Sequence, residues 1–163
     1  MIRSFRHDDV ESIARHGNNP EIARYLADRF PMPYTVVDAR DWINHAMAAE
    51  PEHYFAIDVG GEAVGGIGWD PLEDVERFTG DFGYWLSETL WGRGIATAAV
   101  LHFYEWMFER TNLERIQAWV MEPNTASVRV LEKAGFLREG TKRRAIYKNG
   151  AFCDALTFAR VRA

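Results

Sequence analysis

The chain has 163 residues, 47% of them hydrophobic, with 24 acidic side chains against 19 Lys and Arg, for a net charge of −5. That length can bury the core of one domain and is short for two; the acidic balance excludes a general nucleic-acid-binding surface, and the lack of any run of about 18 apolar residues excludes a membrane-spanning helix. A single cysteine, Cys153, excludes an internal disulfide and argues against a structural zinc site, so no metal is expected.

Ile2 to Arg6 reads as a short strand, and because no apolar signal-peptide region opens the chain, a cytoplasmic protein is expected. Asp8 to His16 and Glu21 to Asp28 read as helical, and Pro31-Met32-Pro33-Tyr34 breaks the pattern before a helix from about Val36 to Ala49. Glu52 to Val59 and Ala63 to Trp69 form strands around Gly60-Gly61, a good hairpin turn, and Phe78 to Leu86 continues the meander. From Ile95 to about Arg110 apolar residues recur at helical spacing (Ile95, Ala98, Ala99, Phe103, Trp106, Met107). Arg115 to Met121 is a further strand. Asn124 then suits a helix N-cap and Gly135 the left-handed position after its last turn, with Phe136 placed for the accompanying apolar contact. Arg138 to Lys148 and Phe152 to Val161 pair across Asn149-Gly150, the strongest turn signal in the chain. Cys153 sits in this alternation as a small strand residue rather than a nucleophile, and Lys142-Arg143-Arg144 reads as a solvated hairpin strand.

Antiparallel strands followed by strand-helix-strand-helix-hairpin predict one α/β (α+β) domain over residues 1–163, with a mixed, mostly antiparallel sheet of about seven strands and helices on both faces. Its most informative stretch is Trp91-Gly92-Arg93-Gly94-Ile95-Ala96-Thr97, where an extended segment turns into a helix. Free N–H groups and the helix dipole at such a turn favour an anion such as a diphosphate, and the two glycines leave the approach unblocked. A tight connection with no ligand is the competing reading. The Lys-Ser/Thr pair of a P-loop is absent, as are the third Gly and the spaced acidic residue of a Rossmann fingerprint.

Taken in order, Tyr84-Trp85-Leu86, Trp91 to Thr97, Asn124-Thr125-Ala126-Ser127 and Leu131-Glu132-Lys133-Ala134-Gly135-Phe136 resemble the motifs of GNAT acyltransferases, most closely the branch of the RimJ/RimL ribosomal-protein N-acetyltransferases. The resemblance extends through Phe55-Ala56-Ile57, Val64 to Gly68 and Tyr147 to Asp154. It implies a GNAT fold in which the strands carrying Tyr84 and Trp119 splay in a V around the thioester of acetyl-CoA. Backbone groups of Tyr84, Trp85 and Leu86 then pair with the pantetheine amides. N–H groups of Gly92, Arg93, Gly94, Ile95, Ala96 and Thr97 hold the pyrophosphate, with Trp91, Asn124 and Ser127 completing the cofactor-binding set. Arg93 either adds a charge-assisted contact or faces solvent.

The implied reaction is direct attack of an amine on the thioester. An α-amine, with a pKa of about 7.7–8.0, is partly neutral near physiological pH, whereas lysine at about 10.4 needs stronger help. Ser127, in the first turn of its helix, is placed either to protonate the leaving thiolate or simply to cap that turn. Many GNAT enzymes carry a tyrosine acid where this chain has Leu131, which shifts the role towards Ser127 or solvent. Asp81 and Glu88 are the candidate bases, each also readable as a surface carboxylate, and His53 is a weaker candidate. Trp69, Phe78, Tyr84, Trp85, Trp91 and Trp119 read mainly as core, with Trp69 and Tyr84 able to line an acceptor pocket. The N-terminal helices from Glu21 to Ala49 should supply its opposite wall. The expected acceptor is a protein or peptide N-terminus, such as that of a ribosomal protein, or a small-molecule amine; a catalytically silent acyl-CoA sensor is the alternative. A monomer or homodimer without membrane or nucleic-acid partners is expected.

Overall fold

The computed structural model describes residues 1–163 and carries seven strands and five helices. In chain order these are β1 (Ile2–Ser4), α1 (Val10–Gly17), α2 (Pro20–Ala23), α3 (Val36–Ala48), β2 (Tyr54–Val59), β3 (Glu62–Pro71), β4 (Thr79–Leu86), α4 (Ile95–Arg110), β5 (Arg115–Met121), α5 (Thr125–Lys133), β6 (Leu137–Lys148) and β7 (Ala151–Val161). One sheet results, in the order β1-β2-β3-β4-β5-β7-β6. Its β1–β2, β2–β3, β5–β7 and β6–β7 pairs are antiparallel, while β4–β5 is parallel because α4 supplies the crossover that a parallel neighbour requires. The turn residues behave as the sequence predicts: Gly60, Gly61, Asn149 and Gly150 all have positive φ and close two-residue hairpins.

Several predicted elements are shorter than their sequence pattern: β2 starts at Tyr54 rather than Glu52 and α1 at Val10 rather than Asp8. α2 ends at Ala23 instead of running to Asp28, because the ladder tightens to i→i+3 bonds at Tyr25 and Leu26. β1 stops at Ser4 because Arg6 already opens a 3₁₀ turn at His7–Asp9.

The chain divides into two compact units, Met1–Gly68 with Tyr84–Ala99, and Trp69–Gly83 with Val100–Ala163. In the first, Phe5, Val10, Ile13, Tyr34, Ala39, Ile43 and Ala56 form a core against which Phe30, Trp42, Tyr54 and Trp85 pack. Beneath it the Arg3 guanidinium binds buried Asp9 and half-buried Asp58 at 2.7–2.8 Å. β3 and β4 approach so closely here that a Cβ on Gly65 would stand 2.3 Å from the Trp85 carbonyl oxygen and 3.1 Å from the Leu86 Cα. Both obstacles are backbone and cannot rotate away. Gly65→Ala is therefore expected to cost about 1–3 kcal/mol of overpacking strain, read as a lower thermal midpoint; an unchanged midpoint would show that the strands part at no cost.

In the second unit Phe82 packs on Phe103 and Phe136, among buried Met107, Leu113, Ile116 and Phe158. Arg162 closes the C-terminal end of α4 by donating to the carbonyls of Phe108, Thr111 and Leu113. α5 has the two ends that its sequence predicts. Asn124 Oδ1 accepts from the Ser127 N–H, Gly135 takes φ +80°, and the Phe136 and Gly135 N–H groups return to Leu131 O and Glu132 O.

Candidate functional site

In the first unit, β4 ends at Leu86 and a 3₁₀ turn at Glu88–Leu90 leads into Trp91. The Trp91 indole N–H donates back to the Leu86 carbonyl at 2.8 Å, so this short segment is closed into a ring by its own side chain. Beyond it Gly92 and Gly94 take φ +74° and +77°, and nothing lies within 4 Å of where a Cβ would stand on either. Gly94 O accepts the first helical bond of α4, from the Ala98 N–H at 3.0 Å. Glycine has no side chain with which to cap, so the N–H groups of Ile95, Ala96 and Thr97 find no acceptor within the helix. An open turn, unhindered glycines and N–H groups without a helical acceptor at a positive dipole end are features that suit a diphosphate. Arg93 is exposed between the glycines.

The aromatic and polar residues before this turn have distinct surroundings. Trp85 is half-buried, with its indole edge-on to Phe30 and close to Gly66. Tyr84 is half-buried. Glu88 is exposed and accepts a 2.6 Å hydrogen bond from Asn19 Nδ2, while buried Ser87 meets His16.

In the second unit the parallel register of β4 and β5 places Asp81 opposite Gln117. Half-buried, Asp81 has its pKa raised, chiefly by desolvation; the Gln117 hydrogen bond and nearby Lys142 oppose the rise, and the like charge of Asp70 adds to it. Gln117 Oε1 in turn accepts from Arg115 Nε at 3.1 Å, and Arg115 pairs with both oxygens of Glu139. A carboxylate with a raised pKa is a stronger proton acceptor than an ordinary surface aspartate. Ser127 lies half-buried in the first turn of α5 with its N–H on the Asn124 cap, and Leu131, 1% exposed, is a core residue. No group of three or more His, Cys, Asp and Glu side chains could hold a metal ion, and no helix is long and apolar enough to cross a membrane.

Three aromatic residues depart from the core reading. Phe78, Trp91 and Trp119 are 42%, 45% and 43% exposed, because Phe78 precedes β4 under the Arg77 guanidinium, Trp91 caps a loop, and Trp119 takes the outward position in β5 between buried Ala118 and Val120. Trp69 is buried against Gly80. Sequence reasoning also missed Gln117, Asn19 and His16; each carries only a local signal of strand, cap or helix, and its partner lies far away in the chain.

A family model described as an acetyltransferase (GNAT) domain matches residues 1–137. The SPbeta prophage-derived uncharacterized N-acetyltransferase YokL of Bacillus subtilis (strain 168) is 28% identical over 163 residues, covering 99% of this chain and 89% of its own. The ribosomal-protein-serine acetyltransferase of Escherichia coli (strain K12) is 32% identical over 103 residues, 61% of this chain and 55% of its own. Mycobacterium smegmatis RimJ, solved in complex with CoA-disulfide, superposes with a TM-score of 0.85 at 27% identity, covering 98% of this chain and 80% of that one. With the family model spanning β4, the glycine turn and α5 of a fold shared with RimJ, the chain belongs to the GNAT acetyltransferases and is an acetyl-CoA-dependent N-acetyltransferase similar to the RimJ/RimL branch.

Proposed function

We propose that the chain works as one GNAT domain over residues 1–163, moving the acetyl group of acetyl-CoA onto a primary amine, and that its acceptor is the N-terminal α-amine of a protein or peptide. The observation that carries the first half is the Gly92–Gly94 turn, where two unhindered positive-φ glycines precede the uncapped start of α4. The kinship with a ribosomal-protein-serine acetyltransferase supports the choice of acceptor.

On this reading the N–H groups from Gly92 to Thr97 bind the pyrophosphate, Arg93 adds a charge-assisted contact, and Trp91 holds the turn. Backbone groups of Tyr84, Trp85 and Leu86 bind the pantetheine arm; Leu86 O already accepts the Trp91 indole, so any further hydrogen bond uses its second lone pair. Asn124 orders the first turn of α5, and the Ser127 hydroxyl gives a proton to the leaving thiolate. Asp81 is the base that takes the proton from the α-ammonium and so frees the neutral amine that attacks the thioester, its raised pKa being the reason to prefer it to Glu88. Acetyl-CoA supplies the activated thioester. A weak base suffices because an α-amine is already partly neutral near pH 7.

The test is calorimetric titration of the protein with acetyl-CoA and CoA, followed by acetylation assays on peptides with free and blocked N-termini and on a panel of small amines. Binding with turnover on free N-termini alone is expected. Turnover on small amines only would replace the acceptor, and binding without turnover on any amine would favour an acyl-CoA sensor. Gly94→Glu is expected to weaken acetyl-CoA about tenfold or more through obstruction and repulsion of the diphosphate. Gly94→Ala, with the same strained φ and no charge, separates repulsion from strain. Equal affinity in the glutamate variant would remove the turn from the site.

A further inference from the structure

We infer that His16 and Asn19, at the junction of α1 and α2, are positioning residues for acetyl-CoA binding, because their side chains pin the two consecutive residues that lead from β4 into the glycine turn. The inference rests on the assignment of Gly92 to Thr97 to the diphosphate. His16 Nδ1 lies 2.9 Å from Ser87 Oγ, and Asn19 Nδ2 donates to Glu88 Oε2 at 2.6 Å, contacts that span 71 and 69 residues of sequence.

Both side chains are held by a second bond that fixes their direction. His16 Nε2 faces Glu62 Oε1 at 2.8 Å. A carboxylate only accepts, so that nitrogen carries the proton, and in the neutral ring Nδ1 is left to accept from the Ser87 hydroxyl. Glu62 has its own pKa lowered, first by this hydrogen bond and then by Arg15, which keeps it ionised and able to hold the ring. Asn19 spends its Oδ1 on the N-cap of α2, accepting from the Glu21 N–H at 2.8 Å, which turns the amide nitrogen towards Glu88.

The junction itself is firmly seated. Tyr34 N–H donates to Asn18 Oδ1, the Tyr34 ring stands 3.1 Å from where a Cβ on Gly17 would be, and Tyr34 stacks on Phe30 at 4.6 Å. Phe30 then meets Trp85 of β4 edge-on at 5.9 Å. An apolar contact thus fixes the junction to β4, and two polar arms reach the residues just beyond. Ser87 is 3% exposed and further tied through its N–H to Val64 O. Without the arms, the segment from Ser87 to Trp91 retains fewer restraints, and the geometry of the glycine turn is left to the ligand to impose.

Asn19→Asp separates positioning from folding, because aspartate caps a helix as well as asparagine does yet replaces the donor facing Glu88 with a repelling acceptor. Its dissociation constant for acetyl-CoA is expected to rise about tenfold, with the thermal midpoint unmoved. Adding Glu88→Gln, whose amide donates in the opposite direction, is expected to restore the affinity. His16→Ala is expected to give a loss of similar size. Should the wild type fail to bind acetyl-CoA, the diphosphate assignment falls. Should the wild type bind and both single variants match it, or should the double variant fail to recover, the positioning role is overturned while the assignment stands.

Discussion

Asparagine in place of Asp81 is expected to lower kcat by about 10²–10⁴-fold while leaving the affinity for acetyl-CoA unchanged. The substitution keeps the shape of the side chain and a partner for Gln117 but removes the only basic atoms at the position. Stability should move the other way. Desolvation, helped by Asp70, raises the Asp81 pKa above its ordinary 3.8. A carboxyl group raised on folding lends its stability below the unfolded value and loses it as pH climbs through the folded one, so at neutral pH the ionised side chain is a net cost. The variant's thermal midpoint near neutral pH should equal or exceed that of the wild type, which separates a catalytic defect from misfolding. In the pH–rate profile, the acidic limb that Asp81 contributes should disappear. Unchanged turnover would exclude Asp81 as the base.

Removing the Arg3 guanidinium as Arg3→Met is expected to destabilise the fold by about 3–5 kcal/mol. Arg3 donates to both oxygens of Asp9 at 2.8 Å and to Asp58 at 2.7 Å, and Asp9 is only 5% exposed. Methionine fills similar space and strands the buried carboxylate, with the Arg6 N–H as a remaining donor to it. Burial alone pushes the pKa of each aspartate up, yet the hydrogen bonds from Arg3, with those from the Arg6 and Gly61 N–H groups, bring both below the ordinary 3.8. Groups lowered on folding contribute stability above that value and lose it as pH falls through the depressed one. Urea unfolding should therefore show the full deficit near neutrality and a gap that narrows as falling pH protonates first the variant's aspartates and then those of the wild type. A deficit independent of pH would assign the loss to packing instead.

What was legible in the sequence was local chemistry with a short reach. Asn124 and Gly135 marked both ends of α5, Asn149-Gly150 marked a hairpin, and the apolar spacing from Ile95 to about Arg110 predicted the helix that runs Ile95–Arg110. Each signal involves atoms within a few residues of one another, where backbone geometry and capping decide the outcome. The glycine turn before α4 was visible for the same reason. Illegible were the features that depend on which strand or helix a side chain meets. Asp81 and Gln117 both sat in predicted strands, but only the parallel register makes them partners. Asn19 fell between two predicted helices without a role and His16 was one more helical residue, and neither hinted at a bond across some seventy positions. Trp119 failed as a core prediction because a strand with one buried face turns every second side chain outward, whatever its size.

If the glycine turn holds the diphosphate as proposed, the bond from the Trp91 indole to the Leu86 carbonyl shapes the thermodynamics of ligand capture. Because it forms within the protein itself, the chain entropy lost in curling residues 86–91 is lost during folding rather than on association. On the proposed assignment of this turn to the diphosphate, acetyl-CoA orders less polypeptide than it would at a slack loop, so more of the energy from its phosphate contacts remains as net affinity. An exposed tryptophan at this point is thus a conformational brace as much as a surface residue.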